Sequence, residues 1–371
     1  MNLTIGILKE SPPERRVSIV PEVVAEWVSA GIDVCAEMDC GLEAGYLQSD
    51  YVQAGAKVMQ RSEVLGMSHL ICGVQSIDQV DLAHLHANQL LIGLYQPLSR
   101  RPFIEDLAKS GLSLLSLDAI PRITRAQAMD VLSSQSSLAG YQAVLRAAAM
   151  LPRVFPMMMT AAGTLAPARV LVVGAGVAGL QAIATAKRLG AVVSAFDTRT
   201  SVKEQVESLG ATFVAVDGAR EDRSAGGYAV EQDADYQKRQ NEALAERVRQ
   251  SDVVITTALI PGRPAPRLID QAMIESMRPG SVIVDMATAN GGNCALSSDE
   301  SIVVHQGVTV VGSSLLAAEK AQDASRMFAR NVQRLLALCI DQTGFALNRE
   351  DEIIAGCLLT HEGQLVWPGY T

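Results

Sequence analysis

Residues 168–199 read ARVLVVGAGVAGLQAIATAKRLGAVVSAFDTR, and this stretch decides the fold. It opens with an apolar, β-branched run and breaks at Gly174, Gly176 and Gly179 in the spacing G-x-G-x-x-G. A helical pattern follows, then a second β-branched run that closes at Asp197. The three glycines have different steric roles. Gly174 permits a tight turn, Gly176 lets backbone approach a pyrophosphate, and Gly179 lets the helix lie against the strand. The start of that helix presents unpaired N–H groups and a partial positive charge to phosphates. Asp197 stands where a carboxylate accepts the ribose hydroxyls of an adenosine and repels a 2′-phosphate, which favours NAD(H) over NADP(H). Arg199 works against that preference, because a neighbouring guanidinium can hold a 2′-phosphate.

Outward from this unit, short β-branched runs alternate with helical patterns over most of the chain, the mark of doubly wound α/β domains. RVLVVG, AVVSAFD, TFVAVD, DVVITTAL, SVIVDMA and VTVVGS form the second series, and LTIGIL, IDVCAE, HLICGV, QLLIGL and LSLLSL the first. Between the first two of these, Val20, Val23, Val24 and Trp27 share one helical face that ends at Gly31. SLAGYQAVLRAAAML is a helix that joins the two series. ASRMFARNVQRLLALCI and a hairpin turning at HEGQ are expected to return to the first. The expectation is therefore α/β, with two doubly wound Rossmann-like domains, a cleft between them, and the nucleotide domain inserted into the first. The first domain is 1–134 plus 322–371 and the nucleotide domain 135–321. Residues 217–250 depart from the pattern. They are highly charged and carry Gly226, Gly227 and Tyr228, and they read either as a solvated insertion with a surface helix or as a mobile lid.

At 371 residues the chain is long enough for two full cores, and 49% apolar against 19% charged residues is a globular balance. The formal charge of −9 repels a phosphate backbone at long range, which argues against nucleic acid as a partner. Six scattered cysteines without a C-x-x-C pair imply reduced, buried thiols in a cytoplasmic compartment. The N-terminal residues MNLTIGILKE lack a secretory signal pattern, and the most apolar stretch is cut by Arg146, Pro152, Arg153 and Pro156, so no membrane span is expected. His84 and His86 form H-x-H, which alternation on a strand would make a weak ligand pair; with no third ligand near in sequence, no metal is expected. No G-x-S-x-G elbow and no P-loop are present.

Three further segments carry a family resemblance. PRITRAQAMDVLSSQSSLAGYQAV, FPMMMTAAGTLAPARVLVVGAGVAGLQAIATAKRLGA and ITTALIPGRPAPRLI together resemble the NAD(H)-binding domain I of proton-translocating nicotinamide nucleotide transhydrogenase, within the alanine dehydrogenase/transhydrogenase family. The resemblance implies that Arg122, Gln127, Asp130 and Ser133 position the nicotinamide end of NAD(H). It implies that Arg125, Val177, Asp197, Thr198, Arg199, Gly227 and Tyr228 contact the cofactor, with Tyr228 on the family's mobile loop. Arg suits a phosphate or amide oxygen, and Gln, Asp and Ser suit hydrogen bonds that fix ring orientation. Without the resemblance, Arg122 to Ser133 reads as a charged helix start. Met157, Met158 and Met159 read as core filler. The implied reaction is hydride transfer between NADH here and NADP⁺ held on a partner domain, coupled to proton transport. The implied partners are membrane-spanning and NADP(H)-binding subunits, with a homodimer and a peripheral place on the inner membrane. The chain stops at Thr371, so it looks like a split-subunit version.

Alanine dehydrogenase is the rival within the same resemblance. Oxidising an amino acid needs a general acid/base and a cation for the carboxylate. The family's Lys and His positions here read ICGVQS and GLYQPL, placing Val74 and Gln96 there. Moving a hydride between two nicotinamides releases no proton at the reacting carbons, so placement suffices. Arg16, beside Glu14, is expected to form a structural ion pair near a domain surface. Two departures from the family pattern, Ala289 before Asn290-Gly291-Gly292 and the run Leu315 to Glu319, leave a third alternative, a non-catalytic NADH-binding module.

Overall fold

The computed structural model describes residues 3–216, 234–341 and 344–370. The chain divides into two compact units, one of Met1–Gln135 with Ala317–Thr371 and one of Ser136–Leu316. Gly227 and Tyr228 lie outside the described residues.

In the first unit, β1 (Thr4–Ile7), β2 (Asp33–Glu37), β3 (Lys57–Met59), β4 (Leu70–Gln75), β5 (Leu90–Leu94) and β6 (Ser113–Ser116) run parallel in the order β6-β5-β4-β1-β2-β3. A C-terminal hairpin, Leu358–His361 and Gln364–Leu365, adds antiparallel to β6 and extends the sheet to eight strands. Winding goes from β1 to β2 and β3 on one side and resumes with β4 on the other, so the switch point lies between β1 and β4. Both faces are covered. Leu70, Cys72, Leu90 and Ile92 join one core cluster, and Ile71 and Leu91 the opposite one, as a period of two demands. The helix Pro21–Ser29 starts with proline at its first position and buries Val23, Val24 and Trp27 on the first of these faces.

In the second unit, β7 (Met158–Thr160) and β8 (Gly163–Leu165) form a two-stranded sheet of their own. The main sheet contains β9 (Arg169–Val173), β10 (Val192–Phe196), β11 (Thr212–Phe213), β12 (Val253–Thr256), β13 (Val282–Asp285), β14 (Ser301–His305) and β15 (Val308–Gly312). Their order is β11-β10-β9-β12-β13-β15-β14, parallel except for the edge strand β14. The switch point here falls between β9 and β12. Val170 and Val172 face one core and Leu171 and Val173 the other. At about 1.5–3 kcal/mol for each buried aliphatic side chain, this double burial is what holds the sheet between its helices.

Several expectations need correcting. Met157, Met158 and Met159 are 60%, 42% and 74% exposed on the β7–β8 hairpin, so they are surface and not core filler. The hairpin turns back at Gly163 and pairs with nothing that could cover it among the described residues. His84 closes a short helical turn, Gln79–His84, and His86 lies beyond it, so the two do not alternate on a strand. Arg16 is 7% exposed and well inside the first unit rather than near its surface. β3 and β14 carry no strong strand pattern in sequence: β3 is three residues long, and no residue of β14 is buried.

Candidate functional site

The glycine turn follows β9. Gly174 takes φ +100°, and a Cβ there would sit 2.6 Å from Thr257 Oγ1. A Cβ on Gly179 would come within 1.8 Å of the Gly174 carbonyl oxygen, so helix and turn are in backbone contact. Gly176 differs, since a Cβ there meets no atom within 4 Å. It is the residue preceding the helix Val177–Arg188, and no side chain caps that end. The turn thus offers bare backbone and a helix start to open space, which fits a pyrophosphate. Val177, 45% exposed, borders the same space.

The turn is braced on both flanks. Asp197, whose side chain is 5% exposed, accepts the Ala175 N–H at 2.7 Å. It also accepts the Arg199 backbone N–H at 2.8 Å, Nε–H at 2.9 Å and Nη2–H at 2.8 Å. On the other flank, Thr257 donates its hydroxyl to the Gly174 carbonyl at 3.0 Å. Thr198 is half-buried beside Asp197. A further close approach seats the helix: a Cβ on Gly140, in the helix Val131–Met150, would lie 2.1 Å from the Ala178 carbonyl oxygen.

The loops beyond β12 and β13 are tied together by buried polar groups that no sequence pattern marks. Asn293, fully buried, accepts from Ala258 N–H and donates to the carbonyls of Ala258 and Pro266, each at 2.9 Å. Asp285, also fully buried, accepts from Thr256 Oγ1, Ala287 N–H, Cys294 N–H and Ser297 Oγ. Four donors on two oxygens satisfy this carboxylate without a cation. Ala289 is exposed in the turn Thr288–Asn290, just before Gly291 at φ +96°.

The remaining candidates lie in the first unit. Asp130 accepts the Ser133 backbone N–H at 2.9 Å and its hydroxyl at 2.5 Å, which caps the start of the helix Val131–Met150. Gln127 and Arg122 are exposed or half-buried on the preceding turn. Arg125 is held elsewhere: its guanidinium forks onto Asp351, the residue capping the helix Glu352–Cys357, at 2.7 and 2.8 Å. That hydrogen bond from Arg125 holds the Asp351 carboxyl below its usual range despite some burial.

Val74 is fully buried within the core cluster, and Gln96 has a left-handed backbone at φ +52° with its N–H on Asp118. A carboxyl stands next to this position. Glu10, following β1, accepts Val74 N–H at 2.5 Å and Gln75 N–H at 3.1 Å. Burial pushes it up to about 7, against the pull of those two N–H groups; Glu14 raises it further and Arg16 lowers it. It lines a pocket with Arg61, Gly73, Gln75, Asp78 and Tyr95. Glu14 and Arg16 pair at 2.7 Å, and Arg16 also donates to Gln135 Oε1 at 2.8 Å. Burial acts to raise Glu14, but the Arg16 hydrogen bonds outweigh it and leave its pKa lowered.

All six cysteines are buried free thiols, and burial alone raises Cys72 to about 12. Among the described residues no group of three or more metal-ligating side chains converges, and no helix is long and apolar enough to cross a membrane.

Known proteins share this architecture. The family model described as alanine dehydrogenase/PNT, N-terminal domain, matches residues 6–139, and its C-terminal counterpart matches 143–368. The first of the two parts of the NAD(P) transhydrogenase subunit alpha of Rhodospirillum rubrum is 44% identical over 382 residues, covering 100% of this chain and 99% of that protein. A transhydrogenase structure from Sinorhizobium meliloti has a TM-score of 0.90 at 43% identity and covers 98% of this chain and 100% of that one. The alanine dehydrogenase of Halomonas elongata is 28% identical over 364 residues, covering 95% of this chain and 92% of that protein. With both domain models matched along nearly all its length, the chain belongs to the alanine dehydrogenase/PNT family.

Proposed function

We propose that this protein is the NAD(H)-binding component of a proton-translocating NAD(P) transhydrogenase. When bound, the nicotinamide would supply a hydride for NADP⁺ held on a partner. Gly174, Gly176, Val177 and Gly179 would receive the pyrophosphate, and Asp197, Thr198 and Arg199 the adenosine ribose. Arg122, Gln127, Asp130 and Ser133 would orient the ring, with Arg125, Gly227 and Tyr228 as further contacts. In this reading 135–321 is the nucleotide domain, inserted into the first domain of 1–134 and 322–371.

One observation carries the choice of reaction: the positions that would hold a dehydrogenase's Lys and His contain a buried Val74 and an uncharged Gln96. Hydride exchange between two nicotinamides needs alignment and dryness and no titrating group at the reacting carbons. The membrane-spanning and NADP(H)-binding functions belong to partner subunits, through which the chain would sit peripherally on the cytoplasmic side of the inner membrane. A homodimer is part of the same reading. Met157, Met158, Met159 and Leu165 form an exposed apolar hairpin that a second copy would cover. Sedimentation that finds only a 39.4 kDa species at micromolar concentration would reject the dimer.

The test is to mix the purified chain with a cognate NADP(H)-binding domain and follow hydride transfer from NADH to an NADP⁺ analogue. Transfer is expected; a flat trace despite demonstrated docking rejects the function. Glu10 favours a second reading, an alanine or imino-acid dehydrogenase, because a carboxyl poised near 7 beside Val74 could move protons. Both its oxygens are committed to backbone N–H groups, which argues against that role. NAD⁺ reduction with a panel of amino acids would revive it. Tight NADH binding with no turnover in either assay would point to a non-catalytic module.

A further inference from the structure

The Asp197 carboxylate is saturated. A carboxylate offers about four lone-pair positions on its two oxygens, and all four are taken here. Oδ1 accepts the Arg199 backbone N–H and Nε–H; Oδ2 accepts the Ala175 N–H and the Arg199 Nη2–H. Two of these donors are backbone and fixed by the chain path: Ala175 within the glycine turn, Arg199 two residues after the acid. The other two belong to one guanidinium, which is 26% exposed and able to rotate away. An adenosine ribose also brings two donors, its 2′ and 3′ hydroxyls. The exchange is one for one, and only the guanidinium can yield.

We propose that the Arg199 guanidinium competes with the adenosine ribose for Asp197, so that Arg199 limits affinity for NAD(H) and erodes the discrimination against a 2′-phosphate. The inference rests on the NAD(H)-binding reading above and assigns Arg199 a role opposite in sign to that of a simple cofactor contact. Before binding, the guanidinium neutralises a carboxylate that would otherwise be buried with backbone donors alone. A diol must displace it, and the charge-assisted fork it breaks is a stronger interaction than the neutral hydroxyl bonds that replace it. Once displaced, the cation stands beside O2′. A ribose with a free 2′-hydroxyl makes little use of it, whereas a 2′-phosphate pairs with it and offsets the repulsion from Asp197. Discrimination at this position is a difference between two affinities, and the same side chain lowers one and raises the other.

The experiment is calorimetric titration of the full chain with ADP-ribose and with 2′-phospho-ADP-ribose, for wild type, Arg199→Met and Arg199→Lys. Neither probe carries a nicotinamide, so the readout is binding alone. Arg199→Met keeps the length and apolar body of the side chain and removes the donors. Its expected effect is a roughly three- to tenfold lower Kd for ADP-ribose and a Kd for the 2′-phosphorylated probe raised by about the same factor. Arg199→Lys keeps the charge without the fork, so both values should fall between those of wild type and Arg199→Met. Circular dichroism and thermal midpoints of both variants establish that they fold. Wild type that binds ADP-ribose more tightly than folded Arg199→Met, or equally well, overturns the competition and leaves NAD(H) binding standing. A folded wild type that binds neither probe overturns both.

Discussion

The two sheets share a winding order and differ in what lies at the carboxyl ends of their central strands. In the second unit the chain leaves β9 through glycines, and a Cβ on Gly176 would meet nothing. In the first unit the chain leaves β1 through Leu8, Lys9 and Glu10, and side chains fill the switch point. Glu10 lies on the N–H groups of Val74 and Gln75, Gln75 donates to Glu14, and Glu14 pairs with the buried Arg16. Doubly wound sheets place ligands at such switch points, and what decides whether one enters is whether the sequence leaves backbone bare or plugs it. One edge is built to receive charge and the other already holds its own.

The sharpest way to break this comparison is to unplug the first unit. Arg16→Met leaves the Glu14 carboxylate, 3% exposed, without its cation. Removing one partner of a buried pair typically costs about 3–5 kcal/mol. Urea unfolding should report a loss of that size in the first unit, with NADH binding affected less than stability. A loss below about 1 kcal/mol would mean the pair is solvated spare charge rather than a plug.

Next in size is the pH response that the plug imposes. Glu10 is raised from 4.5 to about 7 by burial. A folded state that raises an acid's pKa binds the proton more tightly than the unfolded chain does. The stabilisation is therefore complete below about pH 4.5 and is lost as pH rises through 7. Wild type should lose about 2 kcal/mol from this group across that window, because a tenfold change in proton affinity is worth about 1.4 kcal/mol and partial solvation weakens it. In Glu10→Gln that part of the slope should vanish, whatever the variant's absolute stability. An unchanged slope would place the titration elsewhere.

These two groups also mark where reading a sequence stops. The strand, glycine turn, helix and acid of 168–199 are legible because every constraint among them is local: a turn, a helix start, and a carboxylate that reaches the turn's own Ala175 N–H. The core faces are legible by their period. Glu10 is not, because what perturbs it comes from β4, more than sixty residues away. Asn293 and Asp285 escape for the same reason, since their partners lie on loops brought together only by the order of β12 and β13. The methionine triplet misleads because an apolar run does not say whether its strand joins a sheet, and this one pairs only with β8. Resemblance assigns Arg125 to the cofactor, while in this chain Asp351 holds it. Arg199 poses a conflict in the sequence that the geometry turns into a direct competition for one carboxylate.

The smallest effect on stability is expected from the most informative substitution. Gly176 and Gly179 belong to one fingerprint, and both are usually explained as glycines that a nucleotide requires. Their surroundings separate them. At Gly179 an added methyl would lie 1.8 Å from the Gly174 carbonyl oxygen, so Gly179→Ala must move backbone, at a cost of about 1–3 kcal/mol or more in the second unit. At Gly176 the backbone has φ −78° and ψ −168°, which any residue adopts, and the added methyl enters empty space. Gly176→Ala should therefore change the unfolding free energy by less than about 0.5 kcal/mol. Dinucleotide binding should still fall at least tenfold, because the methyl stands where phosphate oxygens must approach the helix start. If Gly176→Ala binds NADH as wild type does, the bare edge of the second unit is only a turn, and the contrast between the two sheets loses its functional meaning.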